Sequence, residues 1–272
     1  MLMVLHYLTT KINKMKKLGI NIDGVVRDFL SQFDKQYRKV HINNPNIVAM
    51  NEDFTVRNYS DDELQQLSED IGTKEKDLIS LPVDTPDLLN HYQFDGQTEV
   101  GGDEFVTPQK ALDEFLFNKY AFQIFGMAEE YSREFEIEEK KIINNKETTQ
   151  KRKILKKAMH EINRIQAFGL REGLFETVLI SKLKDQAITS TFHFLAKAGC
   201  RVKNIMFVDE EENKWEHCDI MIDCVPEVFQ AKPKGKIGIK INREYNQWDK
   251  ADFSFDFVDE VNNPDFLKKI FK

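Results

Sequence analysis

Short apolar runs that end in polar residues or glycine recur along this chain, most clearly in its last third. Runs of about four to eight such residues, separated by helical stretches, are typical of the buried strands of a parallel sheet. The predicted strands are Leu18–Ile22, Thr177–Ile180, Val202–Val208, Asp219–Ile222, Lys236–Ile241 and Phe253–Phe255. The first predicted helix begins at Phe29. A second runs from Asp185 to Ala198, with Gly199 as its cap, and a third spans Pro264 to Phe271. The pattern predicts an α/β fold, a Rossmann-like parallel sheet flanked by helices.

Polar side chains follow three of these apolar runs. The sequence Asn21-Ile22-Asp23-Gly24 ends the first strand, its glycine permits a tight turn, and an amphipathic segment then starts at Phe29. Ser181 ends a second predicted strand and Asp223 ends a third. Ligands of open α/β sheets bind at the carboxyl ends of the strands. We therefore expect the side chains of Asn21, Asp23, Ser181 and Asp223 to meet at one edge of the sheet.

The middle of the chain, residues 41–175, has a different pattern. Residues 43–104 are polar and rich in Asn, Asp and Gly, which indicates loops. Two later segments, Thr107–Glu139 and Thr148–Gly169, are predicted to be helical. The basic run at 151–157 is either an anion-binding patch or the solvated face of a helix.

The predicted division of the chain has three parts. Residues 1–17 form an N-terminal extension, residues 18–40 and 176–272 form the core, and residues 41–175 form a mostly helical insertion. The extension has an apolar stretch followed by lysines, which is the reverse of the order in a signal peptide. No uncharged apolar run is long enough to span a bilayer, so we expect a cytoplasmic protein with no membrane partner.

Composition narrows the classes of partner. A formal net charge of −7 and a sequence pI of about 5.5 argue against general nucleic-acid affinity. The three cysteines show no CxxC spacing, which indicates a reducing compartment without a disulfide framework. A zinc site built from His217, Cys218 and Cys224 is conceivable, but the spacing matches none of the usual zinc patterns.

The residues at the strand ends resemble the motifs of the haloacid dehalogenase (HAD) superfamily of phosphatases. Asn21-Ile22-Asp23-Gly24-Val25 resembles the first motif, Asp-x-Asp-Gly-[Thr/Val], in which the first Asp is the nucleophile and the second is the general acid/base. Ser181 is similar to the Ser or Thr of the second motif, which binds a phosphoryl oxygen. The segment around Lys214, Asp223 and Cys224 looks most like the fourth motif of the 5′(3′)-nucleotidase branch, including its phage-type members.

The resemblance implies a HAD-type core, a mostly helical cap at 41–175 and a Mg²⁺ ion at the carboxyl edge of the sheet. Asp223 would be the carboxylate ligand, with the Asn21 side chain and the Asp23 main-chain carbonyl beside it. The chain departs from the family pattern at the nucleophile, which is Asn21, and at the second metal-binding acid, which is Cys224. A soft thiol suits Mg²⁺ poorly, so we expect metal binding to be weakened or lost.

A third departure concerns the family lysine that stabilises the charge of the phosphate. That lysine usually opens the helix after the second motif, where this chain has Thr189 and Ser190. Lys214 is the first candidate to replace it, and Lys184 and Lys182 are the alternatives.

These features lead to two hypotheses about function. The first is a degenerate HAD-like nucleotidase or phosphatase, a pseudoenzyme that binds a phosphate, a nucleotide or a protein partner without efficient turnover. The alternative is an active Mg²⁺-dependent phosphohydrolase acting on a nucleotide or a small phosphoester, with Asp23 and Asp223 activating water and Asn21 positioning it. A variant of the alternative is that Asn21 was engineered to trap substrate. A nucleic-acid-binding role is supported only by the run at 151–157.

Overall fold

The strands and helices alternate along the second half of the chain, as the apolar pattern predicts. A computed structural model describes residues 15–41, 48–50, 56–58, 88–90, 92, 94, 107–143 and 146–271. The strands are β1 (Lys16–Asn21), β2 (Val48–Met50), β3 (Val56–Asn58), β4 (Ser132–Ile143), β5 (Lys146–Lys157), β6 (Phe175–Lys182), β7 (Asn204–Val208), β8 (Ile220–Asp223), β9 (Ile237–Ile241) and β10 (Phe253–Phe255). The α-helices are α1 (Phe29–His41), α2 (Pro108–Glu114), α3 (Ala158–Glu172), α4 (Asp185–Lys197), α5 (Pro226–Gln230), α6 (Val258–Val261) and α7 (Pro264–Phe271).

Shorter helical turns fill some of the connections. Two π-helical turns, Phe115–Lys119 and Phe122–Gly126, continue the chain after α2. Three 3₁₀ turns lie at Leu88–Asn90, Glu211–Glu216 and Glu244–Asn246. No helix of the described residues is both long and apolar enough to cross a membrane.

Six of the strands form one parallel sheet in the order β10-β9-β8-β1-β6-β7. The central strand β1 pairs with β6 on one side and with β8 on the other. Its apolar residues Leu18 and Ile20 are completely buried, as expected for a parallel strand covered on both faces. This is the α/β, Rossmann-like class that the apolar pattern predicts.

Helices cover both faces of this sheet. On one face, Met159 and Ile162 of α3 and Leu267 of α7 pack into the same apolar core as β1. On the other face, Trp215 and Val228 belong to a smaller cluster against β6 and β8. Both faces are therefore dry, and polar strand residues gain access to ligands at the ends of the strands.

A second apolar cluster lies at the carboxyl edge of the sheet. It joins α1, α2 and the two π-helical turns through aromatic residues that include Phe33, Phe115 and Phe125. Leu183, which directly follows β6, and Ala187 of α4 belong to the same cluster. The aromatic residues of the predicted helix therefore serve packing, and they hold this part of the insertion against the core.

The structure corrects the helices predicted for the middle of the chain. The helical segment that starts at Pro108 ends at Gly126, and residues 132–143 form β4 instead of continuing the helix to Glu139. Likewise, Lys146–Lys157 is β5, and the helix begins only at Ala158. The reason is visible in β4, where Phe135 and Ile137 alternate with glutamates in the period of a strand.

The basic run at 151–157 consequently lies on a strand and not on a helix. Its lysines face the glutamates of β4, with Lys153 paired to Glu134 at 3.1 Å and Lys151 paired to Glu136 at 3.5 Å. Opposite charges across an antiparallel pair favour this hairpin register. The run therefore contributes to hairpin pairing, and these two lysines already have acidic partners.

Two of the predicted regions lie largely outside the described residues. They are the N-terminal extension at 1–17 and the loop-rich part at 43–104. The division at 175 stays a prediction, although α3 on its N-terminal side packs into the sheet core through Met159 and Ile162.

Candidate functional site

A tight turn after β1 holds the first two candidate residues. The amides of Val26 and Arg27 both donate to the carbonyl of Ile22, at 3.0 and 2.9 Å, which folds the chain back directly after the strand. Gly24 adopts a φ of 80°, and a Cβ there would overlap with the Sγ atom of Cys224. Glycine is therefore required both by the backbone conformation and by the close approach of the β8 loop.

Asn21 is buried at the end of β1 and connects this turn to β8. Its amide nitrogen Nδ2 donates to the Asp23 carbonyl oxygen at 2.7 Å and to Oδ1 of Asp223 at 2.8 Å. Two acceptors on one side of the amide identify that atom as the nitrogen. The amide oxygen Oδ1 of Asn21 is buried and has no hydrogen-bond partner among the described residues.

The Asp23 carboxylate has a donor on each oxygen. Ser181 Oγ donates to Oδ2 at 2.5 Å, and Arg27 Nε donates to Oδ1 at 2.7 Å. A general acid/base needs an oxygen that is free to exchange a proton with the reacting group. In this arrangement Arg27 contacts Oδ1 through both Nε and Nη2, and Ser181 donates to Oδ2.

Arg27 is a completely buried cation beneath the site. Besides Asp23, its guanidinium group donates to the Phe125 carbonyl oxygen and to Thr191 Oγ1, each at 2.9 Å. Its central carbon lies 4.9 Å from the ring centroid of Phe125 and 5.2 Å from that of Phe194. Burial lowers the pKa of Arg27, and the adjacent Asp23 charge opposes this shift.

Asp223 ends β8 and is also completely buried. Its Oδ1 atom accepts from Asn21 Nδ2, from the Cys224 amide at 2.7 Å and from the Val225 amide at 3.0 Å. Its Oδ2 atom lies 3.0 Å from Lys214 Nζ. Hydrogen bonds from these neighbours therefore compensate the charge of this carboxylate inside the protein.

Lys214 lies behind Asp223 and has no exposed surface. Its Nζ atom bridges Asp223 and the Oε2 atom of Glu211, which is 2.5 Å away. Burial alone would lower the pKa of Lys214, but the two carboxylates outweigh burial and the net shift is upward. Lys214 does not line the cavity that Asn21 and Ser181 line, so its placement does not support the predicted contact with phosphate.

The thiol of Cys224 stands where the HAD resemblance would imply a second acid. Tyr245 Oη donates to Sγ at 3.0 Å, and Sγ lies 3.4 Å from the Asp23 carbonyl oxygen. Burial, reinforced by the Asp223 charge, raises the pKa of Cys224 to about 12. The group is therefore a neutral thiol near neutral pH and not a thiolate ligand.

A cavity of about 430 Å³ opens above these residues. Asn21, Asp23, Ser181 and Cys224 line it, together with aromatic residues of the insertion and glutamates of the loop after β7. The size is in the range of small-molecule sites, which is roughly 300–1,000 Å³. The four predicted residues that were expected to meet at one sheet edge do meet there, with Asp223 directly beneath Asn21.

The residues at this edge do not fit the Mg²⁺ ion that the resemblance implies. The Asn21 amide nitrogen, a donor, occupies the position between the two oxygens of Asp23 and Asp223 that would be the ligands. Cys224 contributes a protonated thiol in place of a hard oxygen. Among the described residues, no group of three or more His, Cys, Asp or Glu side chains is arranged to hold a metal, which also applies to the zinc site considered at His217 and Cys218.

The two alternative lysines also have acidic partners. Lys182 pairs with Glu210 at 2.7 Å, and Lys184 pairs with Asp113 at 2.6 Å. Of these two, only Lys182 lines the cavity.

Sequence reasoning did not assign Glu211 or Tyr245, and it did not predict that Arg27 would be buried beneath the site. Arg27 stands four residues after Asp23, and Glu211 stands three residues before Lys214. These spacings can be read from the sequence, but opposite charges three or four residues apart are common on any polar surface. Tyr245 comes from the loop after β9 and carries no local signal.

The comparisons add no family to this description. No model of a known protein family matches the chain, and no curated protein matches it either. The class that the structure defines is an α/β protein with a parallel, Rossmann-like sheet and a cavity at its carboxyl edge.

Proposed function

We propose that this protein is a degenerate relative of the HAD phosphatases, nearest to their 5′(3′)-nucleotidase branch, which binds a small molecule in the cavity without efficient phosphoester turnover. The order of the polar strand ends supports the relationship, since the turn after β1 lies between Ser181 on β6 and Asp223 on β8. The observation that carries the proposal is the Asn21 amide, which donates to Asp223 and to the Asp23 carbonyl.

The loss of turnover follows from the groups that face the cavity. An amide nitrogen has no lone pair available for attack on phosphorus, so the step that needs a nucleophile at position 21 has none. The Asp23 carboxylate accepts hydrogen bonds from Ser181 and Arg27, which hold it in place. Phosphoryl transfer depends mostly on positioning and on neutralising charge, and the cations Lys214 and Arg27 are already paired with carboxylates.

The residues that line the cavity suit a small molecule better than a phosphate that has no cation bound to it. Asp23, Glu210 and Glu211 are among its lining residues, so a free phosphate or nucleotide would meet negative charge. A nucleotide remains a candidate only if it brings a cation with it. A protein partner has no equivalent observation in its favour.

The experiment is a turnover assay with Mg²⁺ on an aryl phosphate and on nucleoside monophosphates. We expect turnover far below about 1 per second, a rate typical of enzymes. Asn21→Ala serves as the control, because activity that survives this change comes from a contaminant or from groups other than Asn21. Mg²⁺-dependent turnover at an ordinary rate that Asn21→Ala abolishes would refute the proposal and favour an active phosphohydrolase.

A further inference from the structure

The charges around the cavity are mostly of one sign. Its lining contains a single basic residue, Lys182, among the described residues. The acidic lining residues are Asp23, Glu210, Glu211, Glu212 and Glu227. Such a cleft concentrates field lines of negative sign and attracts cations.

Ion pairs neutralise only part of this acidic set. Glu210 pairs with Lys182, and Glu211 pairs with Lys214. Glu212 and Glu227 have no ion-pair partner within the part of the chain that the structure describes. Two carboxylates at the cavity are thus available to a positively charged ligand.

A second observation, independent of the glutamates, comes from the floor of the cavity. Asn21 is only 1 % exposed and lines the cavity, and its Oδ1 atom lacks a hydrogen-bond partner. A buried carbonyl oxygen without a partner is unfavourable, and a hydrogen-bond donor on a bound ligand relieves that cost. The ligand that suits this atom therefore carries an N–H or O–H group.

Part of the cavity lining is apolar. The residues there are Phe29, Leu30, Leu116, Phe117, Phe125 and Leu183. Phe125 stacks between Phe29 and Phe117, with ring centroids 5.3 and 6.0 Å apart. This wall favours an apolar body about the size of one aromatic ring system.

We propose that the cavity binds an organic ammonium compound, with its N–H donors toward Asn21 and the glutamates and its apolar body against the phenylalanine wall. This inference rests on the proposed function, because it names the class of small molecule that the cavity binds. It accounts for the unpaired Oδ1 atom of Asn21, a residue that lines the cavity, and for two lining carboxylates without ion-pair partners among the described residues.

The experiment is calorimetric titration of the full chain, without divalent metal, with probes that share one body and differ in charge. The probes are 2-phenylethylammonium and 3-phenylpropionate. Inorganic phosphate and AMP are titrated as additional ligands. We expect 2-phenylethylammonium to bind and 3-phenylpropionate not to bind. N-trimethylation of the amine removes its N–H donors, and we expect it to weaken binding because the Asn21 oxygen then stays unpaired.

Matched variants test whether the cavity carboxylates are responsible. We expect Glu212→Gln/Glu227→Gln to weaken amine binding about tenfold, the equivalent of two exposed ion pairs. The control, Glu216→Gln/Asp265→Asn, removes two exposed charges outside the cavity lining and is expected to leave binding unchanged.

The outcomes separate this inference from the proposed function. Tighter binding of phosphate or AMP than of the amine, still without turnover, overturns the inference and leaves the proposed function intact. Equal losses in the two double variants, or no amine binding at all, also overturn it. Phosphoester turnover at an ordinary rate would instead contradict the proposed function, whichever probe binds.

Discussion

At position 21, an amide and a carboxylate of the same shape place opposite demands on their neighbours. The amide of Asn21 supplies a donor to the oxygens of Asp223 and Asp23, so the buried polar groups of these residues attract each other without a cation. A carboxylate there would face the same two oxygens as a third acceptor. The choice of residue 21 therefore decides whether this edge of the sheet needs a metal.

Replacing this amide by a carboxylate tests that argument directly. We expect Asn21→Asp to lower the free energy of unfolding by about 2–4 kcal/mol in EDTA, because it places a second buried negative charge against Asp223. We further expect Mg²⁺ to restore part of the loss, while the natural chain is not stabilised by Mg²⁺. Denaturant titrations with and without Mg²⁺ measure both effects.

Asn21→Leu is the control for this change. It removes the same hydrogen bonds without adding charge, so its stability should not respond to Mg²⁺. An equal response of both variants would show that Mg²⁺ acts elsewhere on the protein.

Adding a second hard ligand extends the test from stability to activity. The Cys224 thiol lies 3.4 Å from the Asp23 carbonyl oxygen, so Cys224→Asp places a carboxylate beside the same oxygens. We expect Asn21→Asp/Cys224→Asp to gain Mg²⁺-dependent hydrolysis of an aryl phosphate, and each single variant to gain little. Groups that share one metal give effects that are more than additive. Mg²⁺ binding without any activity would show that the two added carboxylates are not sufficient for hydrolysis.

The protonated state of Cys224 has its own consequence for reactivity. A pKa of about 12, against an ordinary value of 9.0, makes the thiolate population about 1,000-fold smaller at pH 8 than in the unfolded chain. We expect iodoacetamide to modify Cys224 in the native protein at least that much more slowly than after unfolding, as followed by mass spectrometry of the labelled peptide. Because the folded state holds this proton more tightly, stability falls as the pH rises from about 9 toward 12. Rapid native labelling at Cys224 would contradict this protonation state.

On the scale of elements, a buried lysine organises the loop after β9. Lys240 Nζ donates to the carbonyl oxygens of Asn246 and Asp249, at 2.8 and 2.9 Å. Asn246 in turn donates to the Cys224 carbonyl oxygen at 2.7 Å, and the same loop presents Tyr245 to the cavity. The shape of this side of the site therefore depends on a lysine that does not line it.

We expect Lys240→Met to lower the free energy of unfolding by about 2–4 kcal/mol, because the buried carbonyl oxygens lose their charged donor. It should also increase hydrogen exchange in the loop that contains Tyr245. Lys250→Met, at an exposed position in the same region, is the control and should change neither quantity. An unchanged exchange pattern in Lys240→Met would show that the loop is held by other contacts.

The sequence predicted strands and helices well where the apolar residues fitted only one repeat. It predicted them poorly where the residues fitted both the helical and the strand repeat. The central strands carry uninterrupted apolar residues, so β1, β6 and β8 could be located to within one or two residues. In β4 the strand alternation of Phe135 and Ile137 with glutamates covers only a few residues, and the opposite charges that support it lie on β5, such as Lys153 opposite Glu136. Positions at strand ends were predictable for the same reason as the strands. The burial of Arg27 could not be predicted, because it depends on Phe125 and Phe194 from distant segments.

At the scale of the whole molecule, Arg27 connects three parts of the chain. It belongs to the turn after β1, it donates to the Phe125 carbonyl oxygen in the second π-helical turn, and it donates to Thr191 in α4. The aromatic cluster at the sheet edge includes Leu183, which directly follows β6, and Arg27 connects this cluster to the site through the Phe125 carbonyl oxygen. The cavity wall, the Asp23 carboxylate and α4 therefore depend on one guanidinium group.

We accordingly expect Arg27→Met to lower the free energy of unfolding by about 3–5 kcal/mol, because it leaves the Asp23 carboxylate without its buried partner. Arg27→Lys should recover only part of this, since an ammonium group cannot reproduce the planar set of donors between two rings. The control is Arg133→Gln, which breaks the exposed pair with Glu260 and should cost no more than about 1 kcal/mol. Denaturant unfolding followed by both tryptophan fluorescence and circular dichroism measures these values. If Arg27→Met were as stable as Arg133→Gln, the apolar cluster alone would hold the insertion on the core, and the cavity would not depend on this cation.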